Sequence, residues 1–477
     1  MKNTTKKLIV LLLAVLMLGA SLAACQTAAT ETASNADIGL QSPADQEQQS
    51  ETESPTIAAT ERSTEAATEK ATEKPTEKST EASTESEKTT AADNTVKLTQ
   101  SDEVITTANV TTGGMIDTID LFTDRDLRQT ADVADATYYT VKDGKNITID
   151  AEGVYIISGS ANNASIIVNA GDKDKVQLVL NGVSITNTSA PAIYVKNADK
   201  VFVTTVENTT GSLSVTGTFS ADGNTNTDAV IFSKDDLVLN GLGTLKLSST
   251  ANGVTCKDDL KITGGTISID CTCDAFEANE SIAVADGNIT VKSTKDALHA
   301  ENNEDNATGY IYICGGTFNL TANSDGIQAT TIAQIDGGTF TISAAEGVEA
   351  TFVQINGGKI NISASDDGIN ATNKSSAYTV TVEINNGEIT INMAQGDTDG
   401  IDSNGNLYVN GGTLNISCNS PFDYDGEGKY NGGTIYVNGE LTTELTNQIM
   451  GGEPGMGGGM NGGMNGGMNG GMNGNFT

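Results

Sequence analysis

Between Lys261 and Ser403 one short phrase recurs six times, and nothing else in the chain constrains the fold as tightly. Each copy carries a Gly-Gly-like turn and an alternating apolar strand. An acid, a small residue, an aliphatic or aromatic residue, any residue, and Ala or Ser then follow. The copies end Asp274-Ala275-Phe276-Glu277-Ala278, Asp296-Ala297-Leu298-His299-Ala300, Asp325-Gly326-Ile327-Gln328-Ala329, Glu346-Gly347-Val348-Glu349-Ala350, Asp367-Gly368-Ile369-Asn370-Ala371 and Asp399-Gly400-Ile401-Asp402-Ser403. Their first acids are 22, 29, 21, 21 and 32 residues apart. A unit of about 21 residues, lengthened at intervals by roughly 8 to 11, is the mark of stacked repeats whose insertions fall in loops.

The strands within the unit say what kind of stack this is. In Gly337-Gly338-Thr339-Phe340-Thr341-Ile342-Ser343 apolar and polar residues alternate with period two, as they do in Gly357-Gly358-Lys359-Ile360-Asn361-Ile362-Ser363. A coil of this length holds two or three short strands. Each would pair in parallel with its equivalents above and below, about 4.8 Å away. The fold class is all-β, a parallel β-helix or solenoid. Composition agrees, with 52 Gly against 6 Pro, no Trp and only 4% aromatic residues. A formal charge of −36 argues against nucleic acid, because phosphate binding needs basic surface.

Residues 1–25 read as a lipoprotein signal peptide. Lys2, Lys6 and Lys7 precede an apolar run, and the segment ends Leu22-Ala23-Ala24-Cys25. Such an ending resembles a bacterial lipobox, which implies lipidation of Cys25 and anchorage on the extracellular face of the cell membrane without a span. Residues 26–95 are Thr, Glu, Ser, Ala and Lys with almost no large apolar side chain, so a disordered linker is expected. Seventy such residues would reach about 45 to 50 Å on average. Residues 96–447 form the expected domain. Its early part, around Asp120-Leu121-Phe122-Thr123-Asp124-Arg125-Asp126-Leu127, is the natural N-terminal cap over the first open coil. Residues 448–477 are a Gly/Met/Asn tail with Met456, Met460, Met464, Met468 and Met472 every fourth residue, too rich in Gly for a helix. A flexible tail is expected there, with a thioether Cu(I) site as the alternative.

Cys256, Cys271, Cys273, Cys314 and Cys418 align mostly with Ala in other coils and are expected as buried free thiols. Their spacing makes no zinc motif, and the only histidine, His299, stands alone in the sequence. A polysaccharide lyase would need a base beside its cation, yet Arg128 is the last Arg and the repeats hold only scattered Lys residues. The adjacent acids Asp366 and Asp367 are weak grounds for an inverting hydrolase. The chain is therefore read as non-enzymatic.

Stacked first acids repel. Two carboxylates about 4.8 Å apart cost roughly 3 to 4 kcal/mol at an effective dielectric near 20. Either backbone amides compensate, in an Asx ladder, or a hard cation bridges them. Ca2+ is expected, with candidate ligands Asp274, Glu277, Asp296, Asp325, Glu346, Glu349, Asp367, Asp399 and Asp402.

Three features together resemble a family of secreted bacterial carbohydrate-binding proteins. They are the segment Leu121-Phe122-Thr123-Asp124-Arg125-Asp126-Leu127, the run 176–186 with Ala192-Ile193-Tyr194-Val195 and Ala198-Asp199-Lys200-Val201, and the Asp-Gly-Ile-x-Ala coils. The resemblance implies a pectate-lyase-like right-handed parallel β-helix that binds Ca2+, cellulose and acidic pectic sugars such as polygalacturonate, without established catalysis. An anionic protein holds an anionic uronate chain only through a bridging cation, which agrees with that chemistry. For neutral glucans the sequence offers tyrosines such as Tyr310, Tyr312, Tyr408 and Tyr436. The expected protein is a monomeric polysaccharide binder at the cell surface. The other readings are a structural or adhesive envelope protein and a polysaccharide lyase.

Overall fold

The computed structural model describes residues 103–104, 113–396 and 398–447. The expected signal peptide with Cys25, the linker 26–95 and the tail 448–477 lie outside the described residues. No helix among the described residues is long and apolar enough to cross a membrane.

The described chain is all-β with a single four-residue helix, Asp124–Leu127. Each regular coil holds three strands. In one coil these are Asp325–Ala329, Ile332–Ile335 and Thr339–Ala344, and each pairs in parallel with its equivalent one coil on. The acid-bearing strands form a 12-stranded sheet of their own, while the other two rows belong to a 22-stranded sheet. Strands stacked coil on coil make a parallel β solenoid, as the repeat implies.

Two departures from simple short strands stand out. Lys175–Asn187 and Asp259–Cys271 are 13 residues long, and each pairs with two different strands along one of its edges. With Lys200–Thr205, Asp236–Gly241, Thr244–Ser249 and Thr210–Val215 they close a ring of six strands. The period-two pattern changes phase at Asn181-Gly182 and at Gly264-Gly265, where Gly182 and Gly265 take positive φ, so glycine marks these corners in the sequence. The stack ends where Thr434–Val437 turns back on Glu440–Thr442 in an antiparallel pair.

Alternation fixes the core. In Thr339–Ala344, Phe340, Ile342 and Ala344 are buried while the intervening side chains are exposed. Register then stacks like on like: Phe318, Phe340, Ile360, Ile389 and Leu414 form one continuous column. The Phe318 and Phe340 rings lie parallel with centroids 4.5 Å apart. Each such fully buried side chain contributes about 1.5 to 3 kcal/mol of transfer free energy. Cys256 takes the register position of Ala278, and Cys256, Cys271, Cys273 and Cys314 are buried free thiols, with Cys418 half-buried.

The expected end cap is corrected. Residues 113–131 run along the side of the solenoid, against the direction of the stack. Met115 N–H donates to Gln354 (3.0 Å) and Ile116 N–H to Gln334 (2.8 Å). The Phe122 ring lies 6.4 Å from that of Tyr312, Lys261 Nζ donates to the Leu121 carbonyl, and Arg125 covers Phe202. Asp126 is fully buried between Lys200 (3.5 Å) and Lys261 (3.6 Å), and it closes the capping box with Thr123. The mixture of polar and apolar residues in this segment serves a lateral strap. Its apolar members cover Ala285, Tyr312 and Cys314, and Asp126 binds lysines from two coils.

Candidate functional site

The phrase has its small second residue because neighbouring coils approach closely there. A Cβ on Gly326 would lie 2.7 Å from the Gly347 carbonyl oxygen and would also strike Ile342. The same holds at Gly400, where the Pro421 carbonyl oxygen would be 2.9 Å away. Packing this close brings the acid before each glycine into register with the next, as Asp325 with Glu346 and Asp367 with Asp399.

In the first coils the acids form an Asx ladder. Asn252 Oδ1 accepts from the Asp274 N–H (3.0 Å), Asp274 Oδ1 from the Asp296 N–H (3.0 Å), and Asp296 Oδ1 from the Asp325 N–H (2.9 Å). The remaining oxygens of Asp274 and Asp296 face His299, whose Nδ1 is 3.8 Å and 3.5 Å from them. The structure thus corrects the expectation that the histidine stands alone. Burial works to raise the Asp274 carboxyl, but His299, the Asp296 amide and Lys295 together hold it below the usual range. At Asp296 burial and the Asp274 charge outweigh His299, and the carboxyl is raised. His299 itself is raised: burial opposes its charge, but Asp274, Asp296 and Glu301 favour it.

From Asp325 onward the compensation fails. Glu346 reaches past the ladder position and accepts from Asn370 (3.0 Å). Gln328 donates to both Asp325 and Glu349 (2.8 Å each), while Lys374 pairs with Glu349 (2.7 Å). Oxygens of Asp325, Glu346 and Glu349 lie within 4.8 Å of one another. Burial, then the charges of Asp296, Glu346 and Glu349, push the Asp325 carboxyl up to about 8. Burial and Glu349 raise Glu346 to about 7. The ladder bond returns once, from the Asp399 N–H to Asp367 Oδ1 (3.2 Å). Even so, burial and the surrounding Asp366, Asp399 and Asp423 leave Asp367 at about 6. Asp402, in register with Asp423, is raised to about 7 by burial and by Asp367, Asp423, Asp399 and Asp425.

The nine candidate ligands therefore separate. Asp325, Glu346 and Glu349 form one cluster, and Asp367, Asp399 and Asp402 continue the row in the next two coils. Asp274 and Asp296 belong with His299. Glu277 is drawn aside by Asn252 and by Lys257 (2.9 Å). Sequence reasoning missed Asp423 and Asp425, which extend the row in a coil lacking the Gly of the phrase, and it set Lys374, which lies in an insertion, aside as one of the scattered lysines. A further trio, Asp236, Asp258 and Asp259, sits at a turn of the 22-stranded sheet; there burial and neighbouring acids raise Asp258 to about 6.

Beside the acid row, at the turns immediately before Glu346 and Asp367, an open groove of about 550 Å³ crosses several coils. Ser343, Ala344, Ala345, Ser363, Ala364 and Ser365 line it, small side chains that leave a shallow, partly polar trough. Of the tyrosines, Tyr312 is buried, with the Phe122 ring of the strap 6.4 Å away, and Tyr436 is exposed.

The pattern of the family described as carbohydrate-binding domain-containing protein matches residues 143–352 and 347–429. A curated relative of that description from Acetivibrio thermocellus is 34% identical over 124 residues, 25% of this chain and 43% of the relative. The chain thus spans less than half the length of that relative. A solved structure, a polysaccharide lyase-like protein from C. thermocellum in a gadolinium derivative, aligns at 22% identity with a TM-score of 0.41. It covers 62% of this chain and 98% of that one.

Proposed function

The chain belongs to the family of carbohydrate-binding domain-containing proteins, and from that premise we propose that it binds acidic polysaccharide through Ca2+ without cleaving it. The observation that carries this reading is the row Asp325, Glu346, Asp367 and Asp402. These are four neighbouring, partly buried carboxylates raised to between about 6 and about 8 by burial and by one another's charge, which their few hydrogen-bond donors do not offset. Hard oxygen donors in loose array suit Ca2+, which takes six to eight oxygens and tolerates irregular geometry. A cation there would discharge the repulsion and leave coordination positions for a uronate carboxylate. The adjoining trough of Ser and Ala suits the body of a sugar chain. Polygalacturonate is the proposed ligand, and cellulose, which has no charge to bridge, a weaker one.

In this reading the solenoid is a right-handed β-helix, monomeric, held by a lipid at Cys25 on the extracellular face of a bacterial membrane. Lyase chemistry is the second reading, favoured by Lys374, a basic side chain beside the acid cluster; its ion pair with Glu349 engages it there. Incubation with polygalacturonate in Ca2+, followed by absorbance of unsaturated uronides, separates the two. The binding reading predicts retention without product, and product formation would replace it with the lyase.

A further inference from the structure

The ladder does something at His299 that it does nowhere else among the described residues. Asp274 Oδ1 and Asp296 Oδ1 are each committed to a backbone amide of the following coil, which fixes both carboxylates. Their Oδ2 atoms are thereby aimed at one point, Nδ1 of the chain's single histidine, at 3.8 Å and 3.5 Å. Those separations exceed a hydrogen bond. Nδ1 is sealed from solvent and has no hydrogen-bond partner. The other ring nitrogen, Nε2, lies 3.8 Å from Glu301, a half-exposed carboxylate on the outer side. A buried, unsatisfied ring nitrogen between two oriented carboxylate oxygens, with a third carboxylate behind the ring, has the arrangement of a metal-binding imidazole and its outer partner.

We propose that Asp274, Asp296 and His299 bind a divalent transition-metal ion such as Zn2+, at a site distinct from the Ca2+ row. The donor set decides the class of ion. Imidazole nitrogen with two carboxylate oxygens suits Zn2+ and its first-row neighbours, whereas Ca2+ takes oxygen alone. Bonds of about 2.0 to 2.2 Å to each donor place tetrahedrally arranged donors about 3.3 to 3.6 Å apart, close to the 3.8 Å and 3.5 Å from His299 Nδ1 to the two carboxylates. Three protein donors leave a position for water. Lys295 Nζ, 3.8 Å from Asp274 Oδ2 and half-exposed, is the cation the metal must displace. The competing arrangement is an imidazolium held by the same two carboxylates.

A single histidine makes the test clean. Full chain carrying 15N-labelled histidine is stripped of metal, returned to Ca2+ and titrated with Zn2+ while the imidazole nitrogens are followed by NMR and bound Zn2+ is counted. The expected result is a metal-bound Nδ1 with the proton on Nε2. His299→Gln should lose one equivalent of Zn2+ while Ca2+-dependent retention on polygalacturonate stays unchanged. Glu301→Gln should weaken Zn2+ binding about tenfold or more. An imidazole that keeps both protons and ignores Zn2+, or a His299→Gln protein that keeps the full equivalent, overturns the site. Should His299→Gln fail to fold, the wild-type imidazole spectrum decides alone. Loss of polygalacturonate binding in wild type would speak only to the Ca2+ reading.

Discussion

The two halves of the acid row use one sequence phrase for opposite ends. Around Asp274 and Asp296 each carboxylate is spent on the amide of the next coil, so the charge stiffens the stack. From Asp325 to Asp402 the acids of the phrase, at its first and fourth positions, crowd one another and are pushed toward neutrality. The difference begins with one methylene. Glu346, longer than Asp, reaches Asn370 and not the amide of the next coil, while Asp325 accepts from Gln328 and faces its successor's charge. A repeat can thus be structural in one coil and available for a ligand in the next.

The largest expected effect breaks the structural half. Asp296→Ala leaves the buried amide of Asp325 without an acceptor and should cost about 1 to 3 kcal/mol in denaturant unfolding, whether Ca2+ or EDTA is present. A negligible cost, or one that appears only in Ca2+, would remove the distinction between the halves. In the other half, Glu346→Gln together with Asp402→Asn should lower Ca2+-dependent affinity for polygalacturonate by about tenfold or more, about 1.4 kcal/mol. Equilibrium binding at fixed Ca2+ reads it, and unchanged affinity would move the cation site elsewhere.

Protonation sharpens the contrast. Asp325, Glu346, Asp367 and Asp402 have folded values of about 6 to 8, above those of an unfolded chain. The folded state therefore binds more protons than the unfolded state between about pH 4 and pH 8, and stability must fall as pH rises through that window. In EDTA the melting temperature should drop from pH 5 to pH 8, and Ca2+ should flatten the drop. Bound Ca2+ should release protons near pH 7, measurable by calorimetry in buffers of different ionisation enthalpy. The smallest effect is the most discriminating in sign: Glu346→Gln alone should stabilise the metal-free protein by a few tenths of a kcal/mol, about the worth of one screened like-charge contact. Destabilisation instead would mean that Glu346 is already compensated.

Much of this was legible in the residues. The 21-residue phrase carried the solenoid, period two carried the inward-facing columns through Phe340 and Ile360, and stacking of acids carried both the ladder and the repulsion. What was hidden depends on contacts far apart in sequence or on side-chain aim. Met115 meets Gln354 239 residues away, so no local pattern could show that residues 113–131 run down the side instead of over the end. His299 looked isolated because its partners lie in its own and the preceding coil, and only the commitment of both Oδ1 atoms to amides turns Oδ2 toward it. Lys374 comes from an insertion whose path the repeat does not dictate.

The central claim is that the Asp325 to Asp402 half of the row holds polysaccharide through Ca2+. Its most direct test is retention of the full chain on polygalacturonate with Ca2+ and again with EDTA, with unsaturated product monitored throughout. The account predicts retention in Ca2+, release in EDTA and no product. Retention that survives EDTA, or no retention in either, would contradict it.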